Sequence, residues 1–322
     1  MEPRHGQRSL TPGFECAHAW QDLGVRLALV ANPRSGTAPD PGELERRLGA
    51  DGAQVGITAI DKLNPQGGAL DEEAVADAAR ALSNGDAPDR IVVAGGDGSV
   101  GLCARLAEEL DVALAILAVG TANDFARTHG LPLDLDGACA LAREPAAATR
   151  RADLAEVGKR PFVNAASVGL SVIAAREARP HKSRLGPLAY AVGALKAGVN
   201  ASPLRCRVVC DGGECYEGKA WQVVVGVTGA FGGGSEIGVT SAQDGQLDVA
   251  VIPAGSRVGL VRRAYGMRSG RLTAQDDVTH VRGAIVELEL AGEPQFNVDG
   301  ELCGCHPPRF AGRPRGFELI VP

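Results

Sequence analysis

The sequence predicts an α/β protein, with a parallel-sheet domain at the N-terminus and a mainly antiparallel β domain after it. Three observations carry this. Strand-like and helix-like segments alternate up to about residue 150, the pattern of a parallel sheet covered on both faces. Within that stretch, residues 91–94 and 113–119 are unbroken apolar runs, as expected of strands buried on both faces. From residue 204 onward, short strands are joined by tight turns such as Asp211-Gly212, Asp244-Gly245 and Asp299-Gly300, a hairpin signal.

The elements follow in order. Residues 1–21 show no apolar periodicity and no continuous apolar centre of a signal peptide, and are expected to form a disordered extension. The first domain spans 22–150. A strand over 24–31 ends in the turn Asn32-Pro33-Arg34-Ser35-Gly36-Thr37. A short helix over 43–48, a strand over 54–60 and a helix over 71–82 come next. The last of these sets Val75, Ala79 and Leu82 on one side. A strand from Ile91 then runs into Gly95-Gly96-Asp97-Gly98-Ser99-Val100-Gly101, followed by a helix over 100–110. The strand over 113–119 repeats the device and ends in Gly120-Thr121-Ala122-Asn123-Asp124-Phe125. The second domain spans 151–307, with strands over 152–157, 160–168, 205–210, 218–227, 246–252, 284–290 and 295–298. Helices are expected over 186–199 and 258–267, and the final strand, 316–321, fits either domain.

Composition narrows the function. The chain has 322 residues, 45% apolar and 22% charged, ordinary for a soluble globular protein. A net charge of −6 argues against a nucleic-acid-binding surface, which would be basic. No apolar run reaches the roughly 18 residues that a transmembrane helix needs. Of eight cysteines, only Cys303-Gly304-Cys305-His306 forms a tight cluster. A structural zinc site needs two such pairs, so reduced thiols are expected instead. His181-Lys182-Ser183-Arg184 is a basic cluster that either is solvated or faces lipid phosphates.

Two strands thus deliver glycines and an aspartate to their C-terminal ends, the edge where open α/β sheets bind ligands. Glycine lets the backbone approach a phosphate closely, and a neighbouring Asp can hold or orient a metal ion. Nucleotide or phosphate binding is the leading reading. Taken singly, each feature has a plainer one. The glycine run is also a tight turn, Asp124 is also a helix N-cap, and Asp244 and Glu301 are also solvated turn residues.

Five motifs in order change that balance. Asn32-Pro33-Arg34-Ser35-Gly36, Gly95-Gly96-Asp97-Gly98-Ser99, Gly120-Thr121-Ala122-Asn123-Asp124-Phe125, Asp244-Gly245-Gln246-Leu247-Asp248 and Val298-Asp299-Gly300-Glu301 resemble the diacylglycerol kinase catalytic-domain family, specifically its soluble bacterial lipid kinases. The resemblance covers about residues 24–322. It implies an N-terminal NAD kinase-like nucleotide-binding α/β domain, completed by 308–322, and a β-rich C-terminal domain. It also implies an ATP- and Mg2+-dependent kinase that transfers the γ-phosphoryl group to a lipid hydroxyl. Residues 32–36, Gly95 to Gly101, Gly120, Thr121 and Asn123 would contact ATP. Asp97 and Asp124 would orient Mg2+, Glu301 would be the general base, and Ser241, Asp244 and Gln246 would form a second, structural metal site. The expected setting is the cytoplasm, with transient contact at a membrane surface where the lipid lies. The same machinery would serve a kinase of a soluble hydroxylated metabolite, and a non-catalytic binding protein would share the fold.

The chain departs from the family at three points. Gly101-Leu102 stands where Asn-Glu is usual, with consequences for ATP contacts or for the start of the following helix. Ser99 replaces Thr and keeps the hydroxyl. Val239-Thr240-Ser241 lacks the proline usual before Asp244, which weakens the second metal site.

Overall fold

The computed structural model describes residues 25–64, 72–83, 87–178, 201–231, 235–236, 244–256, 275 and 277–322. The expected extension, the helices over 186–199 and 258–267, the basic cluster at 181–184 and Ser241 lie outside them.

The N-terminal half alternates as expected. β1 (Arg26–Ala31) leads to α1 (Pro41–Leu48), and β2 (Gln54–Ala59) to the single turn α2 (Ile60–Leu63) and to α3 (Glu72–Ser83). β3 (Arg90–Gly95) leads to α4 (Asp97–Leu110), and β4 (Ala113–Ala118) to α5 (Asp124–Thr128) and α6 (Leu135–Arg143). The helices start where local chemistry favours it. Asp40 accepts the Gly42 N–H ahead of Pro41 at the start of α1, and Asp134 accepts the Gly137 N–H ahead of α6.

β4, β3, β1 and β2 lie side by side in that order, all parallel. Every residue of β3 is buried, as its unbroken apolar run requires. One face packs on α3 and α4 through Val75, Ile91, Val93, Leu106 and Phe125. The other packs on α1 and α6 through Leu29, Leu44, Leu48, Val92 and Ala142. The chain leaves β1 toward β2 on one side and returns to β3 on the other, so the strand order reverses between β1 and β3. Ligands bind at such a switch point, outside the carboxyl ends of the strands.

The C-terminal half begins with β5 (Ala148–Val157), β6 (Arg160–Phe162), β7 (Ala165–Gly169) and α7 (Leu170–Ala178). The hairpin β8 (Leu204–Cys210) and β9 (Gly213–Gly226) turns at Asp211-Gly212, both with positive φ. A short pair, β10 (Ala230–Phe231) and β11 (Ser235–Glu236), precedes β12 (Leu247–Pro253) and β13 (Thr279–Gly283). β14 (Ile285–Leu290), β15 (Gln295–Val298), β16 (Glu301–Gly304) and β17 (Arg309–Val321) complete the chain. Pairing among β7, β9, β8, β14 and β12 is antiparallel, and the apolar centre includes Phe162, Phe296 and Phe310 in edge-to-face contact.

β17 joins the halves. It pairs antiparallel with β14 and β5 and parallel with β4, through Glu318 opposite Ala113 and Leu319 opposite Leu114. The last strand therefore fits both sides because it lies between them, and Phe317 reaches the N-terminal core beside Phe125.

Several elements differ from expectation, and β17 begins at Arg309 rather than at residue 316. α4 starts at Asp97 rather than residue 100, since an aspartate in the first turn is favoured by the helix dipole even beside a glycine. The expected strand over 160–168 splits at Val163 and Asn164, where the polar Asn leaves the ladder for other partners. α6 and α7 lie in stretches where no helix is expected.

Candidate active site

Because β1, β3 and β4 run parallel, their C-terminal ends bring three loops to one edge. The turn after β1 is tied to the loop after β3. The Asn32 N–H donates to Ala94 O, Asn32 Nδ2 donates to Ser99 Oγ (2.9 Å), and the Gly96 N–H donates to Ser35 Oγ (3.2 Å). The loop after β4 is tied to both, through the Thr37 N–H to Val119 O and the Val119 N–H to Gly95 O. Its own shape is held by Asn123, which accepts the Gly120 N–H and donates to Ala118 O and Gly120 O. The two glycine loops touch backbone to backbone. A Cβ on Gly120 would lie 2.4 Å from Gly96 Cα, which no side chain tolerates. Gly95, Gly96, Asp97, Ile116, Ala118 and Asn123 line a small recess between them.

Asp97 opens α4 and locks α5. Its carboxylate accepts the N–H groups of Asp124 (3.3 Å) and Phe125 (2.9 Å) and the Asn164 side-chain amide (2.9 Å). The N–H groups of Asp97 and Gly98 stand in the first turn of α4, where a helix has no partner of its own for them. A helix N-terminus of this kind favours anions. Asp124, in the first turn of α5, is buried.

The C-terminal half delivers one more carboxylate to this edge. Asp299 and Gly300 both have positive φ, forming the tight turn between β15 and β16. The partly buried Asp299 carboxylate accepts three N–H groups, from Val163 (2.8 Å), Asn164 (3.0 Å) and Ala165 (3.0 Å). Burial pushes this carboxyl up to about 7 against the pull of those donors, and the Asp97 charge adds to the rise. So anchored, the turn sets Glu301 against α4. A Cβ on Gly98 would fall 2.9 Å from Glu301 Oε1. Glu301 Oε2 accepts from Arg160 Nη2 at 2.6 Å, and the Arg160 side chain is only 12% exposed against 56% for Glu301.

Asn164 connects the two halves. Its side chain donates to Asp97 and accepts from Thr228 Oγ1 (3.1 Å), while its N–H donates to Asp299. Sequence reasoning missed Asn164, Thr228 and Arg160. A polar residue interrupting the apolar run Val163-Asn164-Ala165 was a usable signal for the first. Nothing local marked the other two.

The expected site residues therefore divide. Asn32, Ser35, Gly36, Gly95, Gly96, Asp97, Gly98, Gly120, Asn123, Asp124 and Glu301 converge, with Pro33, Arg34 and Thr121 exposed on the same loops. Ser99 is buried, its hydroxyl engaged by Asn32. Val100 is buried and lines the recess between the loops, and Gly101 turns inward. Val100 enters the core, and a Cβ on Gly101 would meet Pro161 O at 3.0 Å and Phe162 Cα at 3.1 Å. The departure at 101–102 is thus a packing feature: Gly101 lets β6 lie against α4, and Leu102 joins the core.

The donors at the loop edge suit a hard cation. Mg2+ is commonly held by one or two carboxylates together with phosphate and water oxygens. A carboxylate has about four acceptor sites, and Asp97 uses three. Among the described residues no three His, Cys, Asp or Glu gather into a protein-only metal cage. The second site does not fit as described. Asp244 accepts the Gln246 N–H (3.0 Å) and the Arg282 guanidinium (2.7 Å). Desolvation opposes its charge, but these two donors outweigh it and keep the carboxyl below the usual range. A cation there would have to displace an arginine.

Comparison with known proteins agrees with this architecture. Residues 26–157 match the diacylglycerol kinase catalytic domain, and residues 164–321 match the YegS C-terminal NAD kinase beta sandwich-like domain. A Pseudomonas syringae pv. tomato protein described as "Probable lipid kinase YegS-like" is 33% identical over 241 residues, covering 72% of this chain and 75% of that protein. A "Diacylglycerol kinase" of Bacillus subtilis is 26% identical over 240 residues, covering 73% and 78%. Among solved structures, a diacylglycerol kinase from Bacillus anthracis shares the fold with a TM-score of 0.69 at 22% identity, covering 93% of this chain and 98% of that one. With both halves matched and a relative one-third identical over most of its length, the chain belongs to the diacylglycerol kinase catalytic-domain family.

Proposed function

We propose that the chain is an ATP- and Mg2+-dependent kinase that transfers the γ-phosphoryl group to a lipid hydroxyl. Its family is one of lipid and diacylglycerol kinases, and the Bacillus subtilis relative carries the latter name. One observation carries the mechanistic reading: Glu301, from the far half of the chain, rests on Gly98 at the head of α4.

Phosphoryl transfer depends on alignment and charge neutralisation more than on covalent chemistry. The N–H groups of Asp97 and Gly98 and the loops at 32–36 and 120–123 hold the phosphates of ATP. Asp97 and Asp124 hold Mg2+, directly or through water, and the ion, when bound, neutralises charge on the phosphates. Asp97 already accepts three hydrogen bonds of about four, so its share of this work would be small. Glu301 accepts the proton of the attacking hydroxyl. Arg160 fixes Oε2 and leaves Oε1 toward Gly98. Asn164 is a positioning residue that keeps Asp97 in register with the Asp299 turn.

No helix among the described residues is long and apolar enough to cross a membrane. In this reading the lipid is met at a membrane surface, from the cytoplasm. The test is incubation of the purified chain with labelled ATP, Mg2+ and a mixed panel of dispersed lipids, with products identified by mass. A phosphorylated lipid is expected. Label found only on a water-soluble alcohol would replace the lipid with a soluble metabolite, and no transfer to any acceptor would contradict the reading.

A further inference from the structure

Two residues beyond Glu301, Cys303 and Cys305 flank Gly304 with their sulfur atoms 3.0 Å apart. Cys303 lies in β16 and Cys305 just beyond its end, and Cα atoms two residues apart are separated by at most about 7 Å. Disulfides span Cα separations of about 4.4–6.8 Å, so sulfurs already in contact can close with a small adjustment at the end of β16. Both are free thiols, Cys303 half-buried and Cys305 buried. Nothing lies within 4 Å of the place a Cβ would take on Gly304, so that side of the chain between them is open.

We propose that Cys303 and Cys305 are a redox-modification site, a reversible dithiol–disulfide pair whose closure shifts β16 and with it the carboxylate of Glu301. The two sulfurs have different parts. The Cys305 thiol, donating to Cys303, lowers the Cys303 thiol against the effect of burial, and the Arg160 charge helps. The same hydrogen bond and burial push Cys305 up. Cys303, half-buried where Cys305 is buried, is the thiol an external disulfide can reach, so Cys303 attacks and Cys305 resolves. The oxidant is a low-molecular-weight disulfide of the glutathione class. Cys303 Sγ attacks one of its sulfurs, the oxidant's S–S bond breaks, and one glutathione leaves and takes up a proton. Cys305 Sγ releases its proton to water and attacks Cys303 Sγ, and the second glutathione leaves and is protonated. Two electrons and two protons pass from the pair to the oxidant.

The β8–β9 hairpin holds a second interacting pair, Cys210 and Cys215. Burial, with Cys215 adding, pushes Cys210 up to about 12, which makes it a poor thiolate source and a useful internal comparison.

The disulfide stands on the sulfur geometry alone, while its effect on turnover rests on the proposed role of Glu301. The experiment treats the full chain with oxidised glutathione and reads intact mass and the linked peptides. Wild type is expected to lose two hydrogens at Cys303–Cys305. Cys305→Ser should trap a glutathione adduct on Cys303, and Cys303→Ser, at the more exposed position, should form neither product there. On the same samples, wild-type turnover should fall by about 10- to 100-fold, the scale of a misplacement near 1 Å. It should return with dithiothreitol, and Cys303→Ser should keep its turnover in oxidant. A wild-type protein that links Cys210 to Cys215 instead, or stops at the adduct, overturns the site. A Cys303–Cys305 disulfide with unchanged turnover overturns the link to Glu301. A reduced chain with no transferase activity contradicts the kinase reading, and the mass data still decide the disulfide.

Discussion

Asp97 and Glu301 both stand at the head of α4, one from each half of the chain, and they are held very differently. Asp97 accepts three hydrogen bonds and fastens α5 and Asn164 to the loop edge. Glu301 has the single guanidinium of Arg160 and is more than half exposed. The loops around Asp97 are bound to one another by backbone groups and by the Gly96–Gly120 contact. The turn below Glu301 is as firmly anchored, through Asp299, but the carboxylate above it has one hydrogen-bond partner and is largely exposed. One half supplies a rigid cradle and the other a carboxylate that can adjust to an acceptor. Substitutions should therefore separate chemistry from stability on one side and mix them on the other.

The largest effect is expected at Glu301. Glu301→Gln keeps the shape and a hydrogen-bond acceptor for Arg160, so melting temperature and ATP affinity should hold. Turnover should fall by about 10²–10⁴-fold, the range for losing a general acid or base. Measuring kcat beside calorimetric ATP binding separates the two. A variant with near-normal kcat would make the turn structural and move the base elsewhere.

Asp97→Asn should show the opposite pattern. An amide cannot accept from three donors at once, and hydrogen bonds to a charged group contribute about 1.5–3 kcal/mol each. Denaturation should show a loss of about that size, together with weaker Mg2+-dependent ATP binding and lower turnover. Unchanged stability would mean the Asp97 network does not hold the edge together.

A smaller difference should appear with pH. His129, packed on Phe125, accepts from Arg150 through Nδ1, so its ring is neutral. Burial, reinforced by the Arg150 charge, lowers it from 6.5 to about 4. Between those values the unfolded chain takes up a proton that the folded chain does not, so stability falls as pH falls. From pH 7 to 5.5 the loss should be about 1 kcal/mol, and His129→Leu should lack it. Denaturation curves of both proteins at the two pH values give the comparison. Equal slopes would mean that His129 titrates normally.

The cradle was legible in the sequence because it is built locally. An apolar run followed by glycines states both a buried strand and its loop, and parallel strands carry such loops to one edge. The catalytic side was less so. The Asp-Gly step announced a tight turn, but not that its Asp299 would bind three N–H groups of the β6–β7 link. Arg160 and Thr228 meet their partners 141 and 64 residues away, with no pattern to announce them. The departure at Gly101 read as a lost polar contact because its real partner, the backbone of Pro161 and Phe162, is also remote. Asp244 matched a motif, yet its carboxylate is taken by Arg282 on another strand.

The central claim is that Glu301 works from its seat on Gly98, and a double-mutant cycle in kcat tests it most directly. A methyl group on Gly98 must push the Glu301 carboxylate, because the added carbon would sit 2.9 Å from Oε1. Gly98→Ala alone should lower turnover by about tenfold, within the range for a small misplacement. In the Glu301→Gln background the same substitution should cost almost nothing, since groups in contact couple. Equal losses in both backgrounds would contradict the account, by showing that the loop and the carboxylate act independently.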